Sequence, residues 1–255
     1  MLVRSLVAAS LLAAGSLAPS LVAAGDAPKP LRTLVYDVTY SAHSIHDKRT
    51  SGFNGAYGNG TNSGPSSVSA GNGTASIGLD GSDRGQLTVE VIAAPPSGGL
   101  VVDTAYTGRL STQPRLRVVL FDDGRMSADP HAALGPESVH LLPLLARGFI
   151  ANRDVSPGST WTVDVPPPGH GKIDFRVSHV NGAAATLSYE GSMTVPGVAG
   201  FDEVDRGTTE YATDLLSPTG YDLVAHIRRQ IGTDETITTD AHWTLTLVHD
   251  TFAKR

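Results

Sequence analysis

The chain contains no cysteine. That absence excludes thiol nucleophiles, thiolate zinc sites, redox Cys pairs and disulfide staples, so the fold has to stand on its own hydrophobic core. Basic residues are also scarce, 19 Lys and Arg against 25 Asp and Glu, giving a formal net charge of −6. Scattered cations of this kind leave no electrostatic footprint for nucleic acid, which is dropped as a partner. Several chemical signatures are missing as well. There is no Gly-x-Ser-x-Gly elbow, and "GHGKI" at Gly169 lacks both the glycine spacing and the Ser or Thr of a phosphate-binding loop. Ser, His and Asp are present in number, but a triad is a spatial arrangement that their presence alone does not establish.

One uncharged apolar run is present, from Ser5 to Ala24 behind Arg4, with Val22, Ala23 and Ala24 at its end. This is the layout of a secretory signal, with cleavage expected after Ala24. The alternative is a retained membrane anchor, although Gly15, Ser16 and Pro19 make the run weakly hydrophobic. The expected organisation is therefore a signal peptide over residues 1–24, a linker over 25–31 and one β-rich domain over 32–255. Removing the signal takes away Arg4 and no acid, so the secreted or periplasmic product is slightly more acidic than the whole chain. It retains no stable membrane span.

Strand patterning dominates the remainder. Leu34, Tyr36, Val38 and Tyr40 alternate, as do Leu87, Val89 and Val91, then Leu100, Val102 and Tyr106, then Ile173, Phe175 and Val177. In the last strand Ile237, Ala241, Trp243, Leu245 and Leu247 share one face, and His242, Thr244 and Thr246 the other. Turns are expected at Asp123-Gly124, Asn181-Gly182, Pro218 to Gly220 and near Gly232. Between Gly52 and Gly85 ten glycines fall in 34 residues, which predicts a long Gly/Ser/Asn-rich loop with at most a short strand near Thr74 to Leu79. These features predict an all-β fold: a curved antiparallel sheet, either a sandwich, a closed barrel or a half-open barrel around an insertion.

The insertion is "PESVHLLPLLARGFI", residues 136–150. Pro136 and Glu137 suit a first helical turn, Val139, Leu142, Leu145 and Phe149 recur at helical spacing, and Pro143 is expected to split the segment. Seven large apolar side chains lie between Val139 and Ile150. At about 1.5 to 3 kcal/mol each, their burial is worth on the order of 10 to 20 kcal/mol gross, so the segment cannot remain in water. It is expected either to fill the core or to act as a lid sharing a concave cavity with a hydrophobic small molecule or lipid. The ligand-contacting residues would then be Leu141, Leu142, Leu144, Leu145, Phe149 and Trp161.

No catalytic residue, cofactor or metal ligand is assigned. His43 and His46 are three apart, on opposite faces if the segment is a strand, and the other histidines are dispersed. His226, Arg228 and His242 are expected on the polar sheet face. Asp202, Glu203 and Asp205 form the densest acid cluster, read as a solvated bend beside Arg206 with calcium as the alternative.

The succession of "LLPLL", "VSPGSTW" and alternating strands, over residues 100–252, resembles an uncharacterised group of exported bacterial β-rich proteins. The resemblance implies secretion and a β architecture, and names no catalytic residue. A curved antiparallel sheet with a helical plug is also similar in shape to periplasmic carriers of lipids and lipoproteins, an analogy of form alone. The expected function is non-enzymatic binding of an apolar or lipid-like ligand. A structural or adhesive envelope module and a secreted hydrolase are the alternatives.

Overall fold

A computed structural model describes residues 29–49, 74–96, 98–109, 112–128, 136–151, 153–165, 170–195, 197–198 and 200–252. The expected signal peptide, and residues 52–73 of the expected loop, lie outside them. The first five strands, β1 (Arg32–Arg49), β2 (Thr74–Ala93), β3 (Leu100–Gly108), β4 (Thr112–Leu120) and β5 (Met126–Ala128), form an antiparallel meander. A second meander follows: β6 (Thr160–Asp164), β7 (His170–Asn181), β8 (Ala184–Thr194), β9 (Asp202–Ala212), β10 (Ser217–Gln230) and β11 (Glu235–Asp250). The first strand then pairs with the last along most of its length, from Leu34 opposite Asp250 to Lys48 opposite Glu235. The product is one unclosed eleven-stranded sheet in the order β5-β4-β3-β2-β1-β11-β10-β9-β8-β7-β6.

The sandwich and the closed barrel are thereby corrected to a half-open barrel. Its edges are short, three residues in β5 and five in β6, which limits the unpaired backbone offered to other chains.

The insertion joins those two edges. It begins as α1 (Pro136–Leu141), tightens to a 3-10 turn over Leu142–Leu145, and ends in turns before β6. Pro143 sits inside the 3-10 turn and splits the segment as expected, because a proline nitrogen cannot donate to an α-helical ladder. Side-chain contacts show how far the sheet wraps. Ser138 of α1 hydrogen-bonds Thr104 on β3, and Phe149 packs edge-on against Phe175 on β7. β3 and β7 are seven strand spacings apart, about 34 Å in a flat sheet. Only a curved sheet brings both to one short segment.

Alternation sets the two faces. Leu34, Tyr36, Val38 and Tyr40 point into the concavity with Leu87, Val89, Trp243 and Leu245, while His226, Arg228 and His242 lie on the outer, polar face. His226 and His242 there meet Asp240 and Asp222 at 2.7 and 3.0 Å. His43 also faces outward, 2.6 Å from Asp80, whereas His46 is near Glu235 on the other face.

Three local expectations are corrected. Residues 74–85 are not loop: β2 runs on from Thr74, paired with β1 from Arg49 to Val38, because that pairing satisfies the backbone of a glycine-rich stretch that has little else to bury. The turn expected at Pro218 to Gly220 lies earlier, over 213–216, where Leu216 takes φ +50°; Pro218 and Gly220 belong to β10 beside a bulge. The β7–β8 loop is Gly182-Ala183, one residue later than expected, with Gly182 at φ +60°. The Asp123-Gly124 turn stands where expected, with Gly124 at φ +87°.

Candidate functional site

The register aligns side chains on the concave wall into rows. One row crosses five strands with almost nothing projecting: Gly81, Ala42, Ala241, Ala225 and then Asp205. On one side of it stand Tyr40 and Trp243, whose rings are 5.1 Å apart. On the other stand Ser44 and Thr239, hydrogen-bonded at 2.8 Å, followed by Ile227 and Glu203. The small residues leave a trough in the wall. α1 covers it, since His140 reaches both margins, 5.3 Å from the Trp243 ring and 3.9 Å from Glu203.

At the β9 end of the trough the wall becomes acidic. Glu203 and Asp205 both face inward and are 4% and 8% exposed. Burial raises both carboxyls above the usual carboxylate range, Glu203 furthest, and the charge of Asp205 raises Glu203 further; His140 pulls Asp205 partly back. Burial lowers His140, although Asp205 opposes that shift. Asp205 also raises the phenols of Tyr189 and Tyr221, which are elevated chiefly by burial and whose rings stack at 5.6 Å. Two buried atoms here have no hydrogen-bond partner: Asp205 Oδ1 and Trp243 Nε1.

The solvated bend expected over residues 202–205 is therefore corrected to a strand with two carboxyls turned into the core. Sequence reasoning missed them because hydrophobicity points the wrong way. Val204 is the apolar residue of "DEVD", yet it is 48% exposed. The usable signal was the period-two run Glu203, Asp205, Gly207, Thr209 and Tyr211, anchored by Tyr211 at its buried end.

Of the six expected ligand-contacting residues, Leu141, Leu142, Leu144, Leu145 and Phe149 are all buried in one core cluster, and Trp161 packs half-buried against it. Phe149 touches Trp161, Phe175 and Tyr211, Trp161 stacks on Phe175 at 5.7 Å, and Arg153 lies over the Trp161 ring. A cleft of about 490 Å³ includes none of the six; Ser41, His43, Asp80, Ser82, Asp240 and His242 line it together with Ala42, Gly81 and Ala241 of the small-residue row.

Among the described residues, polar contacts between the insertion and the rest of the fold include Thr104–Ser138 at 3.2 Å, the Tyr211 hydroxyl donating to the Leu144 carbonyl, the Gly148 N–H donating to the Asp122 carbonyl and His140 beside Glu203 at 3.9 Å. Apolar side chains of the insertion pack into the core cluster. The chain matches no protein-family model and no curated protein sequence.

Proposed function

We propose that the protein is an exported, non-enzymatic carrier that holds an apolar or lipid-like molecule against the concave face of its sheet, with residues 136–150 as the lid. The observation that carries this reading is the placement of an apolar segment across the concave face of an unclosed sheet, with its leucines and Phe149 in the core cluster. In an unclosed barrel the edges can part slightly and the segment can leave without breaking the strand ladder. A ligand of matching apolar area then replaces the leucines, so exchange preserves most of the burial. The uncovered wall already has the two properties an amphiphile needs: a broad apolar surface and one polar end at β9.

Both tryptophans of the chain, Trp161 and Trp243, line the concave side and serve as reporters. Protein purified without detergent and examined by native mass spectrometry is expected to carry a co-purified amphiphile. After extraction, titration with N-phenyl-1-naphthylamine is expected to shift tryptophan emission and saturate. No bound mass together with no emission change overturns the reading. Mass analysis of the exported chain is expected to show a start after Ala24.

A second reading, a structural or adhesive envelope module, has one observation in its favour. Leu31, Leu216 and Phe252 are exposed around Arg32, whose guanidinium lies over the Phe252 ring and bonds the Leu215 carbonyl. A ligand-free protein that binds an envelope partner through this end would favour it.

A further inference from the structure

We propose that Glu203, Asp205 and Trp243 form a head-group site for amphiphiles bearing an ammonium group, and that His140 of the lid occupies that site when it is closed. The inference rests on the carrier reading and specifies the ligand's chemistry.

The argument begins with what a purely apolar seat would not contain. Two inward carboxyls on one strand are costly to bury, and His140 is the basic side chain that α1 sets beside them. Asp205 Oδ1 is a buried acceptor without a donor. Trp243 is 1% exposed, and its ring borders the trough beside Tyr40. Two inward acids at the end of a trough bordered by the Trp243 and Tyr40 rings favour an organic cation, whose charge offsets the cost of ionising them in the core and whose head group the rings attract.

His140 of the lid already stands in the place of such a cation. Its ring lies against Trp243 while Nε2 is 3.9 Å from a Glu203 oxygen, so a nitrogen base from the lid stands between aromatic ring and acid. When the lid lifts, His140 leaves with α1, and an incoming ammonium nitrogen has the same two neighbours. Gly81, Ala42, Ala241 and Ala225 then give the head group or the first carbons of its chain a path along the wall.

Three probes with one chain length and different heads test this on the full-length protein: dodecylamine, 1-dodecanol and dodecanoate, each below its aggregation threshold, followed by tryptophan emission. Wild-type protein is expected to bind the amine at least roughly tenfold more tightly than the alcohol, with dodecanoate weakest. Glu203→Gln/Asp205→Asn replaces buried acids by neutral isosteres, which preserves shape. Circular dichroism is expected to show it folded. In it the amine and alcohol affinities should converge while that of the alcohol stays unchanged. In His140→Ala the amine preference should widen. Equal binding of amine and alcohol to wild type overturns the head-group site and leaves the carrier reading standing. An amine preference that survives the double substitution overturns it as well. Failure of all three probes to bind overturns the carrier reading itself.

Discussion

The Tyr211 hydroxyl on β9 donates a hydrogen bond to the Leu144 carbonyl in the 3-10 turn across 3.2 Å, with both groups buried. This contact fixes the lid against the wall at the point where the helix has lost its regular ladder. Tyr211→Phe leaves the Leu144 carbonyl unpaired in an apolar setting and should cost about 1 to 3 kcal/mol in urea denaturation. The same variant should take up a hydrophobic probe faster than wild type, because the closed lid alone loses the bond. A stability loss with unchanged uptake would assign Tyr211 to the core only.

Leu145 lies in the central cluster at 6% exposure. Leu145→Ala should cost about 2 to 5 kcal/mol, read as a lower urea midpoint at unchanged slope. A loss far below that range would mean that the lid spends much of its time away from the sheet before any ligand arrives.

The buried acids give stability a definite pH dependence. Burial, and for Glu203 also the charge of Asp205, raises both carboxyls in the folded state above their unfolded values, which lie near about 4. Their contribution is complete below that pH and is lost as pH rises through the folded values. His140 acts in the opposite direction. Burial lowers it, so its contribution is present above the usual imidazole range and lost as pH falls through its lowered folded value. Glu203→Gln should therefore raise the thermal midpoint relative to wild type at pH 8 and do so much less at pH 4. Equal differences at the two pH values would contradict the buried acid pair.

Arg32 joins three parts of the sheet at the end where β1 begins. Its guanidinium donates to both Asp250 oxygens, at 3.0 and 2.6 Å, to the Leu215 carbonyl at 2.8 Å and to Ser217 at 2.9 Å. Arg32→Met leaves the Asp250 carboxylate, 3% exposed, without its counter-ion and should cost about 3 kcal/mol. The Arg32 hydrogen bonds go to Asp250, Leu215 and Ser217 and none of them to the lid, so lid opening should be unaffected. Probe uptake by the folded variant at wild-type rate is the expected result.

Much of this architecture was legible because alternation is a strong signal wherever apolar residues supply it. Leu34 to Tyr40 and Ile237 to Leu247 declared both their strands and their faces, and Pro136 and Pro143 declared the limits of α1. Legibility failed where tertiary context replaced side-chain pattern. Thr74 to Gly85 becomes one continuous strand through its partner β1; its own residues suggested at most a short strand near Thr74 to Leu79. β9 turns its acids inward and Val204 outward because its register is set by pairing with β8 and β10, from Tyr211 opposite Ala185 to Glu203 opposite Ile227. The aromatic group of Phe149, Trp161 and Phe175 was half foreseen, but no local pattern shows that segments twenty-odd residues apart meet at one sheet edge.

Since the chain has no cysteine, an engineered pair can form only one disulfide, and Thr104 and Ser138 place their hydroxyls 3.2 Å apart across the β3–α1 contact. Thr104→Cys/Ser138→Cys, oxidised, pins the lid to the wall; reduced, it frees the lid again. Titration of both forms with N-phenyl-1-naphthylamine should show saturable binding that is absent when oxidised and restored on reduction. Equal binding by the oxidised and reduced forms would contradict a lid that must lift for a ligand to enter.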